Sequence, residues 1–306
     1  MDALTLDQVA VFLSVVEHGS FSAAARSLNR AQSAVTYVVQ KLEEQIDTPL
    51  FDRTQYRPVL TDAGRALLPQ ARRIMEAVGA FRIQARGIAG GLEPELALAV
   101  SSLFPMSILV DVLRGFREHF PTVTTRIFVE SLSGVAKLVE SDVCPLGISP
   151  VFTANSDLLR RATLVDVELV MVAAPEHPLA RLPGRLTPDM LRDHVQLVLT
   201  DRTTPHDVKD YGVYASRTWR LADLSAKHAL LLAGLGFGGM PLHLVANDLR
   251  AGTLVRLELT EWEGADRPPS VPVCVTWRKD KPLGPAARWM MEHLVEITHQ
   301  PKPLGV

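Results

Sequence analysis

Gln32-Ser-Ala-Val-Thr-Tyr-Val-Val-Gln-Lys-Leu-Glu-Glu-Gln-Ile46 is the stretch on which the reading of this chain turns. Val35, Val39, Leu42 and Ile46 recur at spacings of four, three and four, so a helix from Gln32 to Gln45 buries one stripe. Gln32, Ser33, Thr36, Tyr37 and Gln40 fall mostly on other faces, and their hydrogen-bonding groups suit base edges and phosphates. A helix seated in a major groove needs this division, packed on one side and polar on the other.

Upstream, Leu6, Val9, Phe12, Leu13 and Val16 mark an amphipathic helix that stops at Glu17-His18-Gly19-Ser20, where Gly19 can take a left-handed terminal conformation. A short second helix follows, with Ser20 or Ser22 as N-cap and Ala23, Ala24 and Ala25 letting a neighbour approach closely. Asn29-Arg30-Ala31 reads as the turn into the third helix. Downstream, Thr48-Pro-Leu-Phe-Asp-Arg-Thr-Gln-Tyr-Arg-Pro-Val-Leu60 holds two apolar pairs, Leu50-Phe51 and Val59-Leu60. These predict two short strands around a turn, a wing that carries Arg53 and Arg57 toward phosphates or the minor groove. By periodicity alone, a three-helix head with merely solvated polar faces stands equally open.

Thr61 is placed to cap a long helix, with Asp62 favourable in its first turn. Along it Leu67, Ala71, Ile74, Val78, Phe81, Ala85 and Ile88 alternate at four and three, an a/d seam of about three heptads that asks for a partner helix. Packing on the rest of its own chain is the alternative. Gly90-Gly91 and Pro94 end the helix. The boundaries read as a head at 1–61, a linker helix at 62–90 and a C-terminal domain at 91–306.

Residues 4–64 resemble the head of the LysR-type transcriptional regulators. The resemblance is carried by Phe12-Leu-Ser-Val-Val-Glu-His-Gly-Ser-Phe21, Ala24-Ala-Arg-Ser-Leu28, Gln32-Ser-Ala-Val-Thr36, Leu42-Glu43, Pro49-Leu-Phe-Asp-Arg53 and Leu60-Thr-Asp-Ala-Gly64, in the family's order without gaps. Ser33 stands where that family usually has proline, Val35 where leucine or isoleucine is commoner, and Tyr37 where arginine, lysine or histidine is commoner. The resemblance implies a winged helix-turn-helix that binds double-stranded operator DNA. Its contact candidates are Ser22, Arg30, Gln32, Ser33, Thr36, Tyr37, Gln40, Arg53 and Arg57. It also implies that Leu67, Ala71, Ile74, Val78, Phe81 and Ala85 pair with a second copy, giving a homodimer or homotetramer.

Beyond residue 91 strand-like and helix-like segments alternate, as in an α/β domain with largely parallel sheets. Strands are expected at 96–100, 123–130, 146–149, 168–173, 196–199, 253–259 and 272–276, and helices at 105–119, 135–140, 188–193, 225–233, 243–250 and 285–298. The family resemblance implies a multi-domain α+β protein whose C-terminal part is a two-lobed effector domain of periplasmic-binding-protein type. Lobe one is expected at about 92–162 and 268–306, and lobe two at about 163–267. An effector would sit between the lobes, where strand ends and helix N-termini converge. Ser101, Ser102, Ser133, Thr200, Arg202 and Thr203 are the candidates to hold it, with an anion or carboxylate as the suited group. Simple helix capping is the competing role for each hydroxyl.

The composition narrows the classes further. The chain has 306 residues, 47% hydrophobic and 22% charged, with a net charge of −2. Residues 1–90 carry ten Lys/Arg against nine Asp/Glu, so DNA affinity rests on placed side chains and not on a basic field. No apolar run is long enough for a membrane span, and the N-terminus lacks a signal-like apolar stretch, pointing to the cytoplasm. Cys144 and Cys274 read as buried reduced thiols. Gly234, Gly236 and Gly239 satisfy G-x-G-x-x-G, but they follow a helical pattern instead of a strand, so a helix end and tight turn is the better reading. No zinc spacing and no nucleophile elbow occur, so neither a metal, a cofactor nor a catalytic residue is expected. The sequence therefore points to an effector-responsive regulator. A small-molecule binder whose head serves assembly, and an enzyme using the inter-lobe cleft, remain as alternatives.

Overall fold

The computed structural model describes residues 4–52, 58–201, 211–265 and 267–299. The candidates Arg53, Arg57, Arg202 and Thr203 lie outside the described residues. The chain divides into two compact units, Met1–Gly90 and Gly91–Val306.

In the first unit α1 (Leu6–His18), α2 (Phe21–Ser27) and α3 (Gln32–Gln45) are followed by β1 (Phe51–Asp52), β2 (Val59–Leu60) and α4 (Asp62–Ala89). Thr5 opens α1 with a capping box: its side chain accepts from the Gln8 amide while the Gln8 side chain accepts from the Thr5 amide. Gly19 closes α1 in the left-handed region. The cap of α2 is Ser20, whose Oγ accepts from the Ala23 amide, and not Ser22. α1 buries Val9, Val11, Phe12 and Val15, whereas Leu6 is exposed. Its buried face is wider than the expected stripe because α2, α3 and α4 all pack on it. Val35, Val39 and Leu42 of α3 join that core, as do Leu50, Phe51 and Ala71. Phe51 receives Phe12 and Phe21 edge-on, with ring centroids 5.6 and 5.4 Å away.

The wing base is pinned from α3. Glu43 Oε1 accepts from the Leu50 and Phe51 amides at 2.7 and 3.0 Å. β1 and β2 pair antiparallel, Phe51 against Leu60. Thr61 then caps α4 and donates to the Pro49 carbonyl. Gly64 is required here, since a Cβ would fall 2.2 Å from the Leu50 carbonyl oxygen.

The second unit contains β3 (Glu95–Ser101), α5 (Met106–His119), β4 (Thr124–Glu130), α6 (Gly134–Glu140), β5 (Leu146–Pro150) and β6 (Leu159–Ala173). It continues through α7 (Pro188–Leu191), β7 (Val195–Leu199), β8 (Arg217–Leu221), α8 (Leu224–Leu232), β9 (Phe237–Pro241) and α9 (Leu242–Ala251), and ends with β10 (Val255–Arg256), β11 (Ser270–Arg278) and α10 (Pro285–His299). The strand order is β4-β3-β5-β11-β6-β9-β7-β8, with β10 beside β6. β3 pairs parallel with β4 and β5, and β7 with β8 and β9. The long β6 lies antiparallel to β11 in its first part and to β9 in its last, which joins two lobes through one strand.

The β3 residues explain the layering of lobe one. Leu96, Leu98 and Val100 face α5 and α10, whereas Ala97 and Ala99 face α6. A strand buried on both faces reads as a continuous apolar run. Lobe two repeats the plan, with Val170, Val172, Leu197 and Met240 on the α8 and α9 side and Met171, Phe237 and Trp262 opposite.

Three expectations are corrected in lobe two. β8 and β9 were not legible as strands, because β8 is Arg-Thr-Trp-Arg-Leu, with only two apolar residues, and β9 is Phe-Gly-Gly-Met-Pro. The strand expected over 253–259 shortens to β10, with Leu259 meeting Leu186 in an isolated bridge. The glycine run is a helix end only at Gly234, with φ of +71°; its remainder enters β9. Gly236 and Gly238 are needed there, since their Cβ atoms would fall 2.5 and 2.6 Å from the carbonyls of Val195 and Leu197.

Candidate nucleic-acid interface and inter-lobe cavity

In the first unit α3 buries Val35, Val39 and Leu42 and exposes Gln32, Ser33, Tyr37 and Gln40. Positions 33, 37 and 40 follow helical spacing, so these groups share one face opposite the core. Tyr37 is 61% exposed, unusual for so large a ring. Thr36 is half-buried and donates to the Gln32 carbonyl, and the Gln40 side chain donates to Glu44 at 3.2 Å. Ser22, on α2, accepts from Arg26. Arg30 forms a two-pronged ion pair with Asp7, both contacts at 2.8 Å, which holds that carboxyl below its ordinary range. A phosphate would have to compete with Asp7 for this guanidinium.

Along α4 the seam divides. Leu67, Ile74, Phe81, Ala85 and Ile88 are exposed, Phe81 to 70%, and Val78 is half-buried. Ala71, expected in the seam, is instead buried in the head's own core with Leu68 and Met75 against it. The reason is rotational: the helix face that α1 covers includes position 71, and the apolar stripe continues uncovered past it.

In the second unit each of the four described effector candidates makes a hydrogen bond or close polar contact within the protein itself. Ser101 is buried and its Oγ accepts from the Leu103 amide. Ser102 Oγ lies 3.5 Å from Ser131 Oγ, and Ser131 donates across to the Ala222 carbonyl at 2.8 Å. Ser133 gives both its amide and its hydroxyl to Asp201, at 2.9 and 2.8 Å. Thr200 donates its amide to the Leu221 carbonyl and continues the β7–β8 pairing. The Ser131–Ala222 and Ser133–Asp201 contacts latch lobe one to lobe two, so the place expected to receive an effector anion at Ser133 is filled by a carboxylate of the chain. None of the four lines the cavity described next.

That cavity, of about 280 Å³, lies where the lobes and the β6 and β11 crossovers meet. Leu103 and Leu132 enter from lobe one, Leu199 and Leu224 from lobe two, and Val271 from β11. Lys227 and Tyr214 are among the residues lining this space. Lys227 of α8 is 4% exposed; its Nζ donates to the Gly239 carbonyl at 2.7 Å, and burial pushes its pKa down to about 8. The Tyr214 hydroxyl is buried and finds no acceptor among the described residues, and burial, with the nearby Glu263 charge, pushes its pKa up to about 12. Gln196 fixes that segment by accepting from the Tyr214 and Ala215 amides. Reading the sequence missed Lys227 and Tyr214. A signal existed for the lysine, which sits between Leu224 and Leu231 on the buried stripe of α8. Tyr214 lies in irregular chain and gave none. Cys144 and Cys274 are buried free thiols, and burial pushes Cys144 up to about 11.

Comparison with known proteins bears on both units. Residues 6–65 match the family model described as bacterial regulatory helix-turn-helix protein, lysR family, and residues 89–298 match the LysR substrate binding domain. The HTH-type transcriptional regulator PunR of Escherichia coli K12 is 31% identical over 295 residues, covering 92% of this chain and 89% of its own. The probable HTH-type transcriptional regulator YhaJ of the same strain is 29% identical over 298 residues, covering 96% and 97%. Among solved structures, CrgA, a LysR-type regulator from Neisseria meningitidis, aligns with a TM-score of 0.53 at 23% identity, covering 97% of this chain and all of that one.

Proposed function

Because this chain belongs to the LysR family of transcriptional regulators, we propose that it acts in the cytoplasm, without catalysis, as an effector-switched oligomer bound to operator DNA. The observation that carries this reading is the divided α3, with Val35, Val39 and Leu42 buried, Ser33, Tyr37 and Gln40 exposed on the opposite face, and Gln32 exposed in its first turn. Such a face can enter a major groove and meet base edges, while exposed arginines contribute salt-sensitive phosphate contacts. The exposed apolar stripe of α4 supports pairing with a second copy, which sets the separation of two half-sites. An effector held in the cavity would bias the closure of the lobes, and with it the arrangement of the heads.

The test is fluorescence anisotropy of the full chain on duplex DNA from immediately upstream of its own gene, against a scrambled duplex, over a salt series. Specific binding with a steep salt slope is expected. Tyr37→Ala should cut the ratio of specific to scrambled affinity by about tenfold, the scale of one base contact. Equal losses on both duplexes would contradict base reading by this face.

A further inference from the structure

We propose that a basic hollow on lobe one, where β6 begins and β11 ends, is a second ligand site, built for the phosphate ester of a small ring-bearing molecule. It shares no lining residue with the inter-lobe cavity, and it does not depend on what that cavity holds.

Three exposed cations reach the hollow from three segments: Arg160 at the start of β6, Lys279 just past β11, and Arg288 near the start of α10. Among the described residues no carboxylate pairs with any of them; Arg288 donates only to the Leu283 carbonyl, at 3.3 Å. Elsewhere in this unit Arg114, Arg126, Arg192 and Arg256 each meet a carboxylate. The acids closest to the hollow are already held. Asp280 accepts from Arg278 through both oxygens, at 2.9 and 2.6 Å, which keeps that carboxyl below its ordinary range, and Asp142 pairs with Lys281. Glu292 is the one other acid on the wall, so five cations stand there against two carboxylates. Residues 91–306 as a whole carry 22 Lys/Arg against 25 Asp/Glu. Cations are thus gathered here against the balance of their own unit, at a cost in self-repulsion that an anion would relieve.

The arrangement selects among anions. A phosphate ester presents three acceptor oxygens and a charge of about −1.5 to −2 near neutral pH, which suits three cations arriving from different segments. Guanidinium groups such as those of Arg160 and Arg288 can pair two phosphate oxygens at once. A carboxylate, with two oxygens and one charge, would leave most of the patch unmatched. The rest of the lining is apolar, with Trp277, Leu283 and Met291. Trp277 is the cross-strand partner of Arg160, so both side chains leave the sheet on one face and an aromatic surface lies beside the cationic seat. The space is about 410 Å³, inside the range of about 300–1,000 Å³ usual for small-molecule sites. A duplex backbone is convex and would bridge over such a hollow, so a small molecule is the better occupant.

The experiment is isothermal titration calorimetry on the full chain at low salt. The probes are adenosine monophosphate and phenyl phosphate against adenosine and phenol, with inorganic phosphate as the ringless comparison. At least one ester is expected to bind about tenfold tighter than both its parent and inorganic phosphate. Arg160→Gln, Lys279→Gln and Arg288→Gln, all at exposed positions, should each weaken it by about fivefold with the circular dichroism unchanged. Arg114→Gln, which removes a cation elsewhere on the same unit, and Lys227→Met, in the inter-lobe cavity, should leave ester affinity as in wild type. Esters that bind no better than their parents, or an equal loss in Arg114→Gln, would overturn the proposal. Inorganic phosphate matching every ester would overturn the ring seat. If no ester binds and the triple Gln variant instead loses affinity for a scrambled duplex, the patch serves nucleic acid and the proposal falls. Specific operator binding is read separately by anisotropy, so either reading can fail while the other stands.

Discussion

Two glycines of α4 illustrate how a single position can matter through space or through backbone alone. Gly64 faces the Leu50 carbonyl at a distance no Cβ tolerates, whereas Gly79 has nothing within 4 Å of an added Cβ. Gly64→Ala should therefore destabilise the head by about 1–3 kcal/mol, the usual cost of overpacking. Gly79→Ala should stabilise α4 by up to about 1 kcal/mol through helix propensity. Urea denaturation of both variants checks the pair, and similar effects of the same sign would refute the distinction. Lys227 is the opposite kind of residue, costly to the free protein. Its pKa falls from 10.5 to about 8 on folding, so the unfolded chain binds the extra proton between those values. Stability thus rises with pH through that window, and below about pH 8 the penalty is fully present, on the order of 3 kcal/mol. Ligand-free Lys227→Met should be more stable than wild type at pH 7, with the gap closing toward pH 10 in paired denaturation curves.

At the scale of the element, α4 serves two packing partners at once. Its Leu68, Ala71 and Met75 side packs into the head, while Leu67, Ile74, Phe81 and Ile88 remain exposed. Each such side chain gains about 1.5–3 kcal/mol when fully covered, so a partner helix on this stripe is strongly favoured. Ile74→Asp combined with Phe81→Asp should halve the mass seen by light scattering without lowering the far-ultraviolet helix signal. An unchanged mass would show that the stripe is not an oligomer contact. The heptad pattern was legible because period and polarity agree along the helix. The exclusion of Ala71 was not, because only the position of α1 decides which side of α4 the head covers.

Within the effector-binding unit as a whole, the lobes are joined by the β6 and β11 crossovers and latched by Ser131 to Ala222 and Ser133 to Asp201. Asp201→Ala removes the acceptor of the Ser133 amide, and hydrogen exchange at residues 131–136 should accelerate by about tenfold or more. Asp201→Asn, which keeps one acceptor, should lie between the two, and exchange equal to wild type in Asp201→Ala would show that the latch carries no weight. Ser133 was legible as a polar residue at a strand-to-helix junction. Its partner was not, since Asp201 is far away in sequence and equally plausible as surface charge.

The sequence by itself determined the divided recognition helix, the wing base, the long linker helix, the boundary at Gly90-Gly91 and the alternating α/β order of the remainder. These follow from local periodicity, caps and turn residues, which act over a few neighbouring positions. Only the tertiary structure decided that Ser101 and Ser133 satisfy the protein's own groups, that Ala71 belongs to the head, and that the glycines after α8 open into a strand. It alone brought Lys227 and Tyr214 to one cavity. Burial and hydrogen-bond satisfaction are properties of surroundings assembled from distant segments, and no spacing within a single segment encodes them.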